Sequence, residues 1–248
     1  MFYELKITLR TMREEGIGSL FQKIRIYFGD MARAIAFLCA KRPEAEPNAI
    51  IKFLWTAGGS VIAPGQSKAE FCQLLEWMKQ RPAPRAVLEI GTARGGTLFT
   101  WCAMAGPDAT VISLDLPGGI HGGGYPPWKI FFYGQFARAK QKLHLLRGDS
   151  HDPKMLEELK RLLPADGLDF LFIDGDHTLE GVRKDYEMFS PLVKSGGAIV
   201  FHDIAKHRTE FNCHVDELWG KIKQGREHCE FIDQPPQGQF GIGVVTVK

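Results

Sequence analysis

Five short and nearly unbroken apolar runs punctuate the chain: Ala86–Ile90, Thr110–Leu114, Leu143–Leu146, Asp169–Ile173 and Ala198–Phe201. Runs this continuous belong to strands buried on both faces, because a half-exposed strand would alternate apolar and polar positions. Between them apolar residues recur at helical spacing, as in Leu98, Phe99 and Trp101 after the first run, and Val182, Tyr186, Met188 and Phe189 between the last two. Buried strands alternating with helices predict an α/β domain with a largely parallel sheet, and parallel neighbours bring their C-terminal ends to one edge. Two further runs, Cys229–Ile232 and Phe240–Val247, joined by DQPPQGQ, read as a closing antiparallel pair.

The flanking segments follow the same pattern. Gln66–Gln80 reads as a helix started near Ser67 with Phe71, Leu74, Leu75 and Trp77 inward, and Glu210–Lys223 as another with Phe211, Val215, Leu218 and Trp219 inward. The Gly-Gly pair before Ala198 reads as a turn. Residues 1–58 carry amphipathic spacing (Leu5, Leu9 and Met12, then Leu20, Ile24 and Phe28) and form a helical N-terminal arm ahead of a domain over 59–248.

Charge adds one thing to this picture. The net charge is only +2, which gives no reason to expect a nucleic-acid partner, yet residues 1–42 hold eight Lys/Arg against four Asp/Glu. The basic arm is expected to pack on the domain or on a second subunit of a homo-oligomer; its mixture of basic and aromatic residues also suits an anionic membrane surface. The apolar run Ala34–Ala40 is too short to span a bilayer and follows a long charged segment, unlike a secretory leader, so a cytoplasmic protein is expected. Five cysteines without a CxxC pair read as buried free thiols.

Chemistry gathers where the strands end. The first runs into GTARGG (91–96), a glycine-rich turn that lets backbone N–H groups approach a ligand; its spacing is GxxxGG rather than the GxGxxG of a dinucleotide site. The second ends at Asp115, placed to accept the hydroxyls of a ribose. The third ends in Arg147, Gly148, Asp149 and Ser150, the fourth in Asp174, Gly175, Asp176 and His177, and the fifth in His202 and Asp203. A lone acid after a strand is most often a helix cap, but four in register with a glycine loop describe one crevice. The glycine-rich PGGIHGGGYPPW (117–128) reads either as a connection or as a lid carrying His121, Tyr125 and Trp128.

The series VLEIGTARGG, ISLD, LLRGDS, FLFIDGDHTLEGVRKD and GGAIVFHDI resembles the class I S-adenosylmethionine-dependent methyltransferases, closest to the branch of cephalosporin-hydroxylase-like proteins and metal-dependent sugar O-methyltransferases. The resemblance implies a Rossmann-like doubly wound sheet, mostly parallel with an antiparallel C-terminal strand. It implies further that Glu89, Gly91, Thr92, Ala93 and Gly95 lie against the methionine part of the cofactor, that Asp115 takes the ribose hydroxyls, and that Asp149 and Ser150 lie near the adenine. Asp174, His202 and Asp203 would surround a divalent cation, Mg²⁺ or Mn²⁺. Relatives usually have two carboxylates, or a carboxylate and an amide, where this chain has His202 and Asp203, and an imidazole shifts preference away from Mg²⁺.

The expected reaction is O-methylation of a hydroxyl on a sugar or other small glycosylated acceptor. His177 is the expected base, because its ordinary pKa of about 6.5 lies near working pH, with Asp176 as the alternative. Two other readings compete. A nucleotide-cofactor oxidoreductase or hydroxylase component is disfavoured by GxxxGG, and a non-catalytic cofactor-binding scaffold would predict lost acids in the crevice, where all four are present.

Overall fold

A computed structural model describes residues 18, 28–29, 32–56, 59–117, 124–233 and 240–248. The chain divides into two compact units, Met1–Arg42 and Pro43–Lys248. In the first, residues 32–39 are helical, with Ala34 and Phe37 buried one turn apart. Of the expected arm, residues 1–31 lie outside the described residues except 18 and 28–29.

The second unit begins before residue 59. Helix α1 (Pro47–Trp55) belongs to it because Ile50, Ile51 and Leu54 are buried and Phe53 stacks on Phe99, ring centroids 5.3 Å apart. Helix α2 (Lys68–Lys79) follows with Ser67 as N-cap, as expected, but Trp77 is only half-buried and carries the Arg81 guanidinium 3.7 Å above its ring; Met78 takes the inward position instead. Then come β1 (Ala86–Ile90), α3 (Gly96–Met104), β2 (Thr110–Asp115), α4 (Trp128–Gly134), β3 (Lys142–Arg147), α5 (Pro153–Leu162), β4 (Leu168–Ile173), α6 (Leu179–Phe189), β5 (Val193–His202), α7 (Val215–Ile222), β6 (His228–Phe231) and β7 (Ile242–Thr246).

The seven strands lie in the order β3-β2-β1-β4-β5-β7-β6. β1 to β5 pair in parallel, and β7 is antiparallel to both β5 and β6. This is the doubly wound α/β fold expected from the alternation of runs. Side chains alternate across β1: Leu88 and Ile90 join a cluster with Leu159, Val182, Phe189, Leu218 and Trp219 from α5, α6 and α7. Trp101 of α3 packs on the opposite face, against Phe170 and Phe172 at 5.0 and 5.1 Å, and its indole N–H donates to Glu89 at 2.8 Å. Each fully buried Phe contributes about 1.5–3 kcal/mol of transfer free energy, so both faces hold the sheet.

Three expectations change. Gly196 and Gly197 are not a turn before β5 but lie inside it, where the pairing with β4 slips between Leu168 and Phe170. The helix expected over Glu210–Lys223 is a 3-10 turn (Thr209–Phe211) followed by α7, with Asn212 at φ 46° between them and Phe211 exposed. Of the five free cysteines only Cys102 and Cys213 are buried.

Candidate active site

The pairing registers align Ile90 with Leu114 and Ile173, Asp115 with Arg147, and Ile173 with Phe201. Gly91, Asp115, Asp174 and His202 are therefore brought to one edge of the sheet, and two cavities open there. The first, about 270 Å³, is lined by Gly91, Ala93, Asp115, Asp149, Ser150, His151, Asp174 and Asp176 among others. The second, about 370 Å³, lies over Ala63–Gln66, the glycine loop and the first turn of α3. They share Gly91, Ala93 and Asp174, so one elongated ligand spanning both would pass over Asp174. Gly96 and Thr97 of the first turn of α3 line the second lobe, and the positive end of that helix favours an anionic group there.

The glycines of the loop serve packing as well as ligand approach. Gly91 has φ 88°, and a Cβ there would lie 2.0 Å from the Asp174 carbonyl oxygen; at Gly95, φ 86°, it would lie 2.6 Å from the Tyr133 ring. The loop is fixed by the protein itself: Tyr133 Oη donates to Ala93 O at 2.9 Å, and the Thr92 and Ala93 amides donate to Asp115 Oδ2 at 3.1 and 2.8 Å. Burial raises the Asp115 carboxyl above its ordinary value although these amides stabilise its charge.

Glu89 sits behind the loop, wholly buried, and lines neither cavity. Burial pushes its carboxyl up to about 8, against stabilising contacts from Thr97, Thr92 and Trp101. Folded protein then holds a proton that the unfolded chain releases between pH 4.5 and about 8, so stability falls as pH rises through that window. Glu89→Gln should flatten this fall, which urea unfolding of both proteins at pH 5 and pH 8 will measure; an identical pH dependence in the two would remove Glu89 as its source.

Beyond Asp174 lies a cluster of acids and imidazoles. Asp174 Oδ1 is 3.2 Å from His177 Nε2 and 3.1 Å from His202 Nδ1, while its Oδ2 accepts from Gln66 Nε2 at 2.7 Å. Asp203 is 3.4 Å from His177 Nδ1 and 3.3 Å from His202 Nδ1. Asp203 adopts φ 63°, in the left-handed region that Asp tolerates better than most side chains. Burial alone would raise Asp174 and Asp203, but His202 and His177 outweigh it and hold both below the usual carboxylate range. Burial likewise works against the charge of the imidazoles; the two acids override it, raising His177 and pushing His202 up to about 10.

The donor chemistry fits a cation. Ligand atoms of Asp174, His202 and Asp203 lie within 4.8 Å of one another, as do those of His177, Asp203 and Cys213. The Phe240 N–H donates to His207 Nε2 at 3.2 Å, so that nitrogen is an acceptor and its 3.2 Å approach to Asp203 Oδ1 is not a hydrogen bond. Asp203 Oδ1 is left as a buried oxygen without a hydrogen-bond donor. Two carboxylates with imidazoles suit Mn²⁺, Fe²⁺ or Zn²⁺ better than Mg²⁺, which prefers oxygen throughout.

Asp176 lies apart from this cluster. Its carboxylate accepts from Thr178 N at 2.9 Å and packs onto Gly181, where a Cβ would come within 2.1 Å of it, so it braces the turn that leads into α6, whose N-cap is Thr178, and lines the first cavity. Tyr125, proposed for a lid, is instead buried with its ring 4.8 Å from Tyr133; His121 lies outside the described residues. Several site residues gave no sequence signal of their own. Gln66 sits where a helix was expected to begin, and Arg147 donates to Tyr125 O (2.9 Å) and Pro117 O (3.4 Å). Asp185 could have been found, because it falls on the apolar stripe of Val182 and Phe189.

Comparison with known proteins agrees with this architecture. Residues 88–204 match the family model described as a methyltransferase domain. An uncharacterized protein of Sinorhizobium fredii, y4gI, is 24% identical over 176 residues; the match covers 68% of this chain but only 18% of that protein. The O-methyltransferase TomG of Streptomyces achromogenes, involved in tomaymycin synthesis and solved with SAM, is 14% identical and has a similar fold, with TM-score 0.53 over 91% of this chain and 96% of TomG. An O-methyltransferase of Bacillus cereus solved with SAH is 16% identical, with TM-score 0.50 over 80% and 90% of the two chains. Among the described residues no helix is long and apolar enough to cross a membrane.

Proposed function

We propose that this chain, whose residues 88–204 match a methyltransferase domain, is an S-adenosylmethionine-dependent O-methyltransferase that acts with a divalent cation on a sugar or glycosylated small molecule. The observation that carries this reading is that two lobes suited to a nucleoside and to an amino-acid carboxylate meet at Asp174, and that a base and a candidate cation site begin at that same residue.

When bound, the sulfonium cofactor supplies an activated methyl group, and the cation lowers the pKa of a coordinated hydroxyl. The chain's own residues do the rest. The glycine loop and Asp115 hold one lobe, Asp149 and Ser150 line its far side, and the first turn of α3 receives the carboxylate. Asp174, His202 and Asp203 would hold the cation. His177, one-third exposed, is the group of the cluster that an acceptor hydroxyl can reach; a cation held by Asp174 and Asp203 would offset the charges that raise its imidazole, leaving it to take the proton as the oxygen attacks in line. A groove of about 750 Å³ lined by Asn48, Lys52, Trp55, Lys68 and Phe240 supports a glycan-like acceptor, since it combines rings with polar groups; Phe240 also lies 5.7 Å from His202.

Tritiated S-adenosylmethionine incubated with a panel of glycosides and glycosylated natural products tests the reading. Label should appear in an acceptor hydroxyl, fall to background after EDTA, and return with Mn²⁺ at least as well as with Mg²⁺. Full transfer in EDTA would remove the cation; label on nitrogen or carbon alone would overturn O-methylation.

A further inference from the structure

His177 also faces a second set of donors, and one of them is a sulfur. Ligand atoms of His177, Asp203 and Cys213 lie within 4.8 Å of one another. The three come from the turn before α6, the end of β5 and the segment leading into α7. Backbone holds them in register, since His214 N donates to His177 O at 2.9 Å, and Asn212 at φ 46° bends the chain immediately before Cys213.

The donor geometry suits a tetrahedral ion. His177 Nδ1 lies 3.4 Å from Asp203 Oδ2, the separation of two ligands each about 2.0–2.1 Å from one zinc. Across the ring, Nε2 is 3.2 Å from Asp174 Oδ1. An Nε2–H donated there leaves the Nδ1 lone pair for a metal, the arrangement in which a carboxylate orients a ligating imidazole. A second observation points the same way. Asp203 is 4% exposed and its Oδ1 has no hydrogen-bond donor, so the carboxylate is buried with one oxygen unsatisfied. Cys213 is buried too, while the one-third exposed His177 gives an ion a way in. With no ion the sulfur is a thiol: burial pushes it up to about 12, against the Val215 N–H, which favours the thiolate. Only a cation that bonds strongly to sulfur displaces that proton, which selects against oxygen-preferring Mg²⁺.

We infer that His177, Asp203 and Cys213 form a site for a thiophilic divalent cation, Zn²⁺ above all, distinct from the Asp174, His202 and Asp203 set that would hold the cation for methyl transfer. Binding makes one bond each from sulfur, nitrogen and oxygen to the metal and sends the protons of Sγ and Nδ1 to solvent. The two sets share Asp203, so each ion hinders the other. The consequence, which rests on the reading of His177 as base, is inhibition. A metal on Nδ1 occupies the imidazole that would take the acceptor's proton, so Zn²⁺ blocks a reaction that Mn²⁺ supports.

The test is titration of the metal-free full chain with Co²⁺, which reports a thiolate ligand as a sulfur-to-cobalt charge-transfer band in the near ultraviolet. Wild type should develop the band at one equivalent and lose it as Zn²⁺ replaces cobalt. Cys213→Ala should show none, and its affinity for Zn²⁺ should fall at least about tenfold. His177→Ala, at a partly exposed position, should weaken Co²⁺ by at least as much, which keeps the test standing where Cys213→Ala fails to fold. No band in wild type, an equal band in Cys213→Ala, or unchanged Co²⁺ affinity in His177→Ala overturns the inference. The titration uses neither acceptor nor methyl donor. A band that depends on Cys213, alongside methyl transfer untouched by Zn²⁺, would therefore overturn His177 as base and leave the site standing.

Discussion

His177→Ala should lower turnover by about 10²- to 10⁴-fold while leaving S-adenosylhomocysteine affinity nearly unchanged, the range expected for removal of a general base. His177 lines neither lobe of the proposed cofactor site, so its loss removes no contact there. It does face Asp174 and Asp203, the two acids that would hold the cation. Asp176→Ala is the informative contrast. Its carboxylate holds the turn ahead of the Thr178 cap of α6 and lines the first lobe of the proposed cofactor site, so the expected effect is on stability and cofactor affinity rather than on the proton-transfer step. The paired measurement is a rate profile against pH with ligand affinity for each variant. Normal turnover in His177→Ala together with a lost pH limb in Asp176→Ala would exchange the two roles.

Gly91→Ala should cost about 4 kcal/mol or more, in the exceptional tail for single substitutions, and lower the melting temperature by roughly 8–16 °C in a domain of this size. Two effects add. An L-residue at φ 88° is strained, and the new methyl would sit 2.0 Å from the Asp174 carbonyl, which cannot move without shifting the end of β4. Gly196→Ala separates them, since Gly196 has φ 79° but nothing within 4 Å of the added Cβ. It should cost only the conformational strain, about 1–2 kcal/mol. Equal losses at both positions, read by thermal unfolding, would mean that the β1–β4 approach is not the constraint.

The sheet was legible because its inner strands β1, β2 and β4 are buried on both faces and read as apolar runs; Leu143–Leu146 read the same way, yet β3 is an edge strand and only Leu146 of that run is buried, and the antiparallel closure showed in Cys229–Ile232 and Phe240–Val247. Strand ends were legible for the same reason, and with them Asp115, Asp174, His202 and Asp203. What periodicity could not give was direction. Asp176 and His177 are adjacent in sequence, yet one packs onto Gly181 and the other onto Asp203, a choice made by the turn ahead of the Thr178 cap and by the left-handed turn at Asp203. The family resemblance put Glu89 against the cofactor, but strand alternation points it at Trp101, and it lines neither cavity. Gln66 and Glu70 were invisible, since their roles are long-range: Gln66 donates to Asp174, and Glu70 accepts from the amides of Asp233 and Gly241. The break in the helix expected over 210–223 turns on Asn212, a residue type that tolerates the left-handed region without demanding it.

The central claim is that the two lobes meeting at Asp174 form an S-adenosylmethionine site. Calorimetric titration of the full chain with S-adenosylhomocysteine and, in parallel, with NAD measures it most directly. The account predicts one S-adenosylhomocysteine bound per chain, weakened strongly by Asp115→Ala, and no binding of NAD. Saturable binding of NAD with none of S-adenosylhomocysteine would contradict it.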